Sequence, residues 1–138
     1  MKCGSCTASC PSGRVVAFRT RKLVEDRALG EIDLSDISIW YCTTCFNCME
    51  RCPRGIDITE EILKIREEAY RQDMVLEPHR AVLMYIFKTG HAVPIKDEIK
   101  AKRTSLGLDE VPPTTHRFSA ALDEVRKLME AENIEPQE

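Results

Sequence analysis

The sequence predicts an all-α protein, and three observations carry that reading. Apolar residues recur at helical intervals in several separate stretches, almost nothing alternates with period two, and β-branched residues stand singly on the helical stripes. The seven cysteines are confined to two short groups, residues 3–10 and 42–52, so they read as ligand loops set between helices rather than as scattered staples.

Taken in order, Val15, Val16, Phe18, Leu23, Val24 and Leu29 predict a helix after the first cysteine group, with Gly30 near its C-terminal end. Residues 31–39 read as a connection or short helix leading to Trp40 and Tyr41, directly before the second cysteine group. Beyond Cys52-Pro53, Asp57 is a candidate N-cap with Glu60 three residues on, and Ile58, Ile62, Ile65 and Ala69 form the apolar stripe of the next helix. Pro78 suits the first turn of another helix, on which Ala81, Val82, Tyr85 and Ile86 are expected on the inner side up to Gly90. A more polar helix is expected over residues 95–106, ended by Gly107 before Pro112-Pro113. Ser119 is a candidate cap for the last helix, with Leu122, Val125, Leu128 and Met129 as its apolar face. The acidic residues 132–138 read as a frayed tail.

At 138 residues the chain is expected to form one domain, 1–138. Within it, residues 1–58 would carry the cysteine motifs and the helix between them, and 59–131 the scaffold and docking helices. The opening Met1-Lys2-Cys3-Gly4 has no apolar stretch like a signal peptide, and no run approaches the roughly twenty apolar residues of a membrane span. A cytoplasmic chain without disulfides is therefore expected. The formal net charge is −3, and a thiolate-bound cluster would make it more negative, which disfavours nucleic acid as a partner. Lys2, Arg14, Arg51 and Arg54 adjoin the cysteines, either to offset cluster charge or dock a partner, or as a solvated basic surface.

The cysteine spacing carries the chemistry. Cys42, Cys45, Cys48 and Cys52-Pro53 form an uninterrupted CxxCxxCxxxCP pattern. Cys3, Cys6 and Cys10-Pro11 repeat its last three positions, aligned with Cys45, Cys48 and Cys52-Pro53. Three cysteines at i, i+3 and i+6 can wrap three corners of a cubane, and the fourth ligand must come from elsewhere. In two-cluster ferredoxins the cysteine before the proline ligates the other cluster. Carried over, Cys42, Cys45 and Cys48 with Cys10 would hold one [4Fe-4S] cluster, and Cys3, Cys6 and Cys52 the other. The second set is one ligand short. The repeat places the missing cysteine one residue upstream of Met1, which suggests that Met1 is an internal methionine. A [3Fe-4S] cluster on three cysteines, or a ligand from water or another protein chain, are the alternatives. Paired CxxC units also make zinc sites, so a colourless zinc-stapled interaction protein is the competing reading of another class.

His79, His91 and His116 are scattered and read as structural or surface residues, while Trp40 and Tyr41 read as packing that keeps water from a cluster. No nucleophile–base arrangement, phosphate loop or dinucleotide fingerprint is present, so no catalytic residue is assigned.

The stretch Trp40-Tyr41-Cys42-Thr43-Thr44-Cys45-Phe46-Asn47-Cys48-Met49-Glu50-Arg51-Cys52-Pro53-Arg54-Gly55 resembles the second cluster motif of the iron-sulfur C subunits of the heterodisulfide reductases of methanogenic archaea. The segments Cys10-Pro11-Ser12-Gly13-Arg14, Glu77-Pro78-His79-Arg80-Ala81, Lys88-Thr89-Gly90-His91-Ala92-Val93-Pro94 and Val111-Pro112-Pro113-Thr114-Thr115-His116 are also similar to that family. The resemblance implies an α-helical ferredoxin with two cubanes. It further implies an electron-transfer component of an oxidoreductase, passing electrons from the flavin and iron-sulfur A subunit to the catalytic B subunit, which cleaves the coenzyme M–coenzyme B disulfide. The iron-sulfur component of another respiratory complex, of the fumarate reductase or glycolate oxidase type, is the runner-up.

Overall fold

A computed structural model describes residues 3–134 of the chain; Met1, Lys2 and the end of the expected frayed tail, 135–138, lie outside the described residues. Among the described residues the regular structure is all helical: α1 (Ser5–Ala8), α2 (Thr20–Leu29), α3 (Asn47–Glu50), α4 (Ile58–Arg71), α5 (Glu77–Thr89), α6 (Asp97–Ser105) and α7 (Ser119–Ala131), with 3₁₀ turns at Ser12–Arg14 and Ile37–Tyr41. The contacts gather into two compact units divided between Val75 and Leu76. α4 therefore belongs to the unit of the cysteine segments.

In the first unit α4 is the spine. Asp57 accepts a hydrogen bond from the Glu60 N–H at 3.2 Å, which satisfies one otherwise free donor of the first turn. Ile58, Ile62, Ile65 and Ala69 are all buried, as their spacing predicts, and Thr59 is buried beside them. Each isoleucine so removed from water contributes about 1.5–3 kcal/mol. Phe18, Leu23, Leu34, Ile39, Cys10 and Cys48 complete this core, with Trp40 and Tyr41 packed against it.

The helix expected from Val15 onward starts later, at Thr20. Residues 15–19 form a non-helical link in which the Phe18 N–H bonds the Val16 carbonyl at 2.7 Å. That link carries Phe18 and Thr20 into the core and leaves Val15 exposed, so the apparent stripe joined two segments of different conformation. Gly30 does end α2, in the left-handed conformation that a C-terminal cap requires (φ 73°).

In the second unit Arg126 of α7 ties down the end of α5, donating from Nε to the Phe87 carbonyl at 3.0 Å and lying over the Phe87 ring at 5.8 Å. The inner side of α5 differs from expectation. Ala81, Val82 and Tyr85 are exposed, while Leu83, Met84, Ile86 and Phe87 are half-buried. Residues 81–87 are all apolar, so periodicity could not choose the face. On α7, Met129 is buried but Leu128 is exposed, and Phe118 rather than Ser119 occupies the cap position.

Candidate metal centre

The repeat read from the sequence is also a repeat of backbone geometry. Gly4 precedes α1 with φ 74°, ψ 3°, and Phe46, its aligned counterpart, precedes α3 with φ 63°, ψ −5°. Each left-handed residue turns the chain sharply after a first cysteine, Cys3 or Cys45, and starts a four-residue helix that carries the next, Cys6 or Cys48. Thr44 is left-handed as well (φ 50°), so the Cys42–Cys48 loop holds two non-glycine residues in this sparsely populated region. Such bending turns consecutive cysteines toward one side. The Thr44 N–H then points at the Cys42 sulfur, at 3.4 Å.

Cys10, Cys42, Cys45 and Cys48 line one small cavity together with Phe18, Thr20, Thr43, Phe46 and Thr59. These are the four cysteines that the interlocked pattern groups together, and Cys10 reaches the cavity from the first motif. Cys10 and Cys48 are buried, Cys42 is half-buried and Cys45 exposed. The cavity lies against the core, and its wall includes the two buried polar side chains, Thr20 and Thr59, each about 1% exposed. Thr59 Oγ1 is 3.8 Å from the Cys48 sulfur. Burial pushes the Cys48 thiol pKa up, and the Thr59 hydroxyl opposes that shift.

Arg66 fixes the approach to this loop. From α4 it donates to the Ile39 carbonyl through Nε at 2.9 Å and to the Cys42 carbonyl through Nη2 at 2.6 Å, and its guanidinium lies over the Trp40 ring at 5.5 Å. Trp40 thus packs through a cation as well as through the core. Nothing in the sequence marked Arg66, one charge among many on an amphipathic helix.

Cys3, Cys6 and Cys52 do not line the cavity. Cys3 is exposed, with its sulfur 3.4 Å from Ser5 Oγ, and that contact lowers its pKa; Cys6 and Cys52 are half-buried against the core. The motifs that carry them are held together, since α1 packs on α3 and Ser9 Oγ donates to the Asn47 carbonyl at 3.4 Å. No disulfide joins any of the seven cysteines.

Soft thiolates at ferredoxin spacing fit an iron-sulfur cluster. Four of the seven cysteines border the shared cavity. Thr20, one of the residues that line it, has a buried hydroxyl without a protein partner.

The 4Fe-4S dicluster domain family matches residues 1–56. The chain is 49% identical over 130 residues to the CoB–CoM heterodisulfide reductase iron-sulfur C subunit of Methanopyrus kandleri, covering 93% of this chain and 68% of that protein. It is 44% identical over 132 residues to the C subunit of the H2:CoB-CoM heterodisulfide,ferredoxin reductase of Methanothermobacter thermautotrophicus (94% and 71%). Against the C subunit of the ferredoxin:CoB-CoM heterodisulfide reductase of Methanosarcina mazei it is 45% identical over 130 residues (94% and 81%). The chain belongs to the family of heterodisulfide reductase C subunits. Membership settles the broad chemistry as that of an iron-sulfur component of an oxidoreductase complex, and the all-helical fold agrees with it. Among the described residues no helix is long and apolar enough to cross a membrane.

The three histidines are scattered in sequence, but His91 and His116 stack with ring centroids 4.5 Å apart. They are 25 residues apart on either side of α6, and no spacing rule joins them. His91 Nε2 lies 2.6 Å from Thr114 Oγ1, while His116 Nε2 is buried without a partner.

Proposed function

We propose that the chain is the electron-transfer component of a cytoplasmic heterodisulfide reductase complex, relaying electrons from the flavin-bearing A subunit to the catalytic B subunit that reduces the coenzyme M–coenzyme B disulfide. The observation that carries this reading is the cavity bordered by Cys10, Cys42, Cys45 and Cys48, one cysteine from the first motif and three from the second. In the proposal those four hold one [4Fe-4S] cluster. Cys3, Cys6 and Cys52 hold a second, completed by a ligand outside these seven cysteines.

Bound clusters supply one-electron exchange with little change in shape. The chain's own residues do the rest. Cysteines present sulfur as thiolate, which ligation requires. The cavity wall of Phe18, Phe46 and the two threonines limits water beside the buried sulfurs, and Arg66 holds the entry to the loop by its backbone carbonyls. In the proposal, disulfide cleavage belongs to the B subunit.

Reconstitution of the complex with and without this chain tests the role: flavin-linked reduction of the disulfide should stop without it, and continuation at full rate would sink the proposal. Iron and acid-labile sulfide per chain test the cofactors. About eight of each support two cubanes, about seven iron with eight sulfide a three-iron second site, and little iron with one or two zinc overturns the assignment.

A further inference from the structure

We propose that Thr20 and Thr59 are positioning residues that set the reduction potential of the cluster held by Cys10, Cys42, Cys45 and Cys48, through hydroxyl hydrogen bonds to its sulfur atoms. The inference rests on the ligand reading above.

The two threonines are the buried polar side chains of the described core, and both border the same cavity as the four cysteines. Thr59 Oγ1 already lies 3.8 Å from the Cys48 sulfur. Once Cys48 ligates as a thiolate it has no proton to give, so the hydroxyl must be the donor. Thr20 Oγ1 is buried and has no hydrogen-bond partner in the protein. A buried hydroxyl is costly unless something accepts from it, and in the proposal that acceptor is a sulfur of the cluster held beside it.

Their places in the chain add a second reason. Thr20 is the first residue of α2 and Thr59 the second of α4, helices of 10 and 14 residues. Both helices therefore begin at the cavity, each with a buried threonine in its first turn. Nothing comparable surrounds Cys3, whose neighbour Ser5 is in contact with solvent.

The sign of the effect follows from charge. Reduction adds one electron to a cluster that is already anionic with four thiolates, in a site of low dielectric, where burial alone opposes the added charge. Hydroxyl donors stabilise the reduced form more than the oxidised one and raise the potential. No covalent bond forms or breaks, and the electron comes from the mediator of the titration.

The test is an anaerobic potentiometric titration of the loaded full chain, followed by electron paramagnetic resonance. Thr20→Val and Thr59→Val, which keep shape and delete the hydroxyl, should each shift the reduction equilibrium roughly three- to tenfold toward the oxidised form. That is about 30–60 mV lower for a one-electron couple. Thr20→Ser should keep the natural potential. Retained iron with both couples unmoved in Thr20→Val and Thr59→Val overturns the proposal. If Thr20→Val fails to hold iron, Thr20→Ala and Thr20→Ser decide: iron kept only with serine supports a hydroxyl requirement, and iron lost from all three makes the role one of shape and overturns the inference. Cys42→Ser identifies the couple concerned. A threonine shift on a couple that Cys42→Ser leaves intact refutes the ligand reading, whereas no shift with the Cys42-dependent couple intact refutes only the threonine inference.

Discussion

Replacement of Arg66 by methionine tests whether the entry to the cysteine loop is held from α4. The substitution keeps the aliphatic stem and removes two donors and a cation. Its carbonyl partners differ in exposure: Ile39 is 0% exposed, so its oxygen loses its donor with no water to replace it, while Cys42 is half-buried and recovers part of its loss. A buried acceptor left alone costs about 1–3 kcal/mol, and the contact with Trp40 adds roughly 0.5–1 kcal/mol. Together the segment Ile37–Tyr41 and the start of the loop should lose about 3 kcal/mol against local opening, roughly a hundredfold in the opening equilibrium. Arg66 retains its charge although burial lowers its pKa, so pH does not complicate the comparison. Hydrogen exchange read by mass spectrometry on the anaerobic, loaded chain measures the effect. Peptides over 37–45 should exchange faster by about that factor while peptides from α5 and α7 stay unchanged. A change under about threefold at 37–45 would refute the clamp, and Arg66→Lys, whose ammonium cannot fork to two carbonyls, should behave like Arg66→Met.

Further expectations concern other parts of the chain. Alanine at Cys10, Cys42 or Cys48 should remove about four iron per chain, and a variant at Cys10 that lowers the iron of the first-motif site instead would refute the interlock. Phe46→Gly should relieve roughly 1–2 kcal/mol of left-handed strain yet open the cavity wall, so that the cluster bleaches faster in air; unchanged bleaching would show that the ring shields nothing. At Gly90 (φ 73°) an added Cβ would meet the Thr115 side chain, whereas at Gly30 it would meet nothing within 4 Å. Gly90→Ala should therefore cost more than about 1 kcal/mol beyond Gly30→Ala, each read as faster exchange in its own unit. Burial, reinforced by the neighbouring His91, holds the His116 pKa below its ordinary value. The unfolded chain then binds the proton more readily, so the second unit is at full stability above about pH 6.5 and loses stability as pH falls through the folded-state pKa. Exchange in α5 and α7, corrected for intrinsic rate, should speed up from about pH 7.5 to 5.5, and equal protection at both would refute this.

The candidate site was legible because cysteine spacing encodes chemistry directly. The CxxCxxC triple and the two cysteine–proline endings indicated which sulfurs to group, and four of them line one cavity. α4 was legible for a different reason, since Asp57 and the four-residue stripe state the same helix at two levels. The failures have physical causes. Val15 and Val16 mimic a helical stripe because Phe18 and Leu23 follow at suitable intervals, yet a single bond from Phe18 to Val16 breaks the period. α5 is apolar nearly all round, so its buried side is set by what packs on it. Arg66, Thr20 and the His91–His116 stack were invisible because each acquires its meaning from a partner distant in sequence.

The burial of the cysteines bears on how a relay would work. Cys3 and Cys45 hold equivalent positions in the repeat and both are exposed, while Cys10 and Cys48 are buried in the same core as Ile62 and Ile65. Each proposed cluster then has one ligand at the surface, where an electron can enter or leave. Because Cys10 comes from the first motif yet lines the cavity of the second, loading one proposed site would brace the segment that carries the other. That bracing would hold the distance between the two sites fixed, which a relay needs more than it needs exposure. It also places the regulation of driving force in the buried half of the path, where Thr20 and Thr59 act without competition from water.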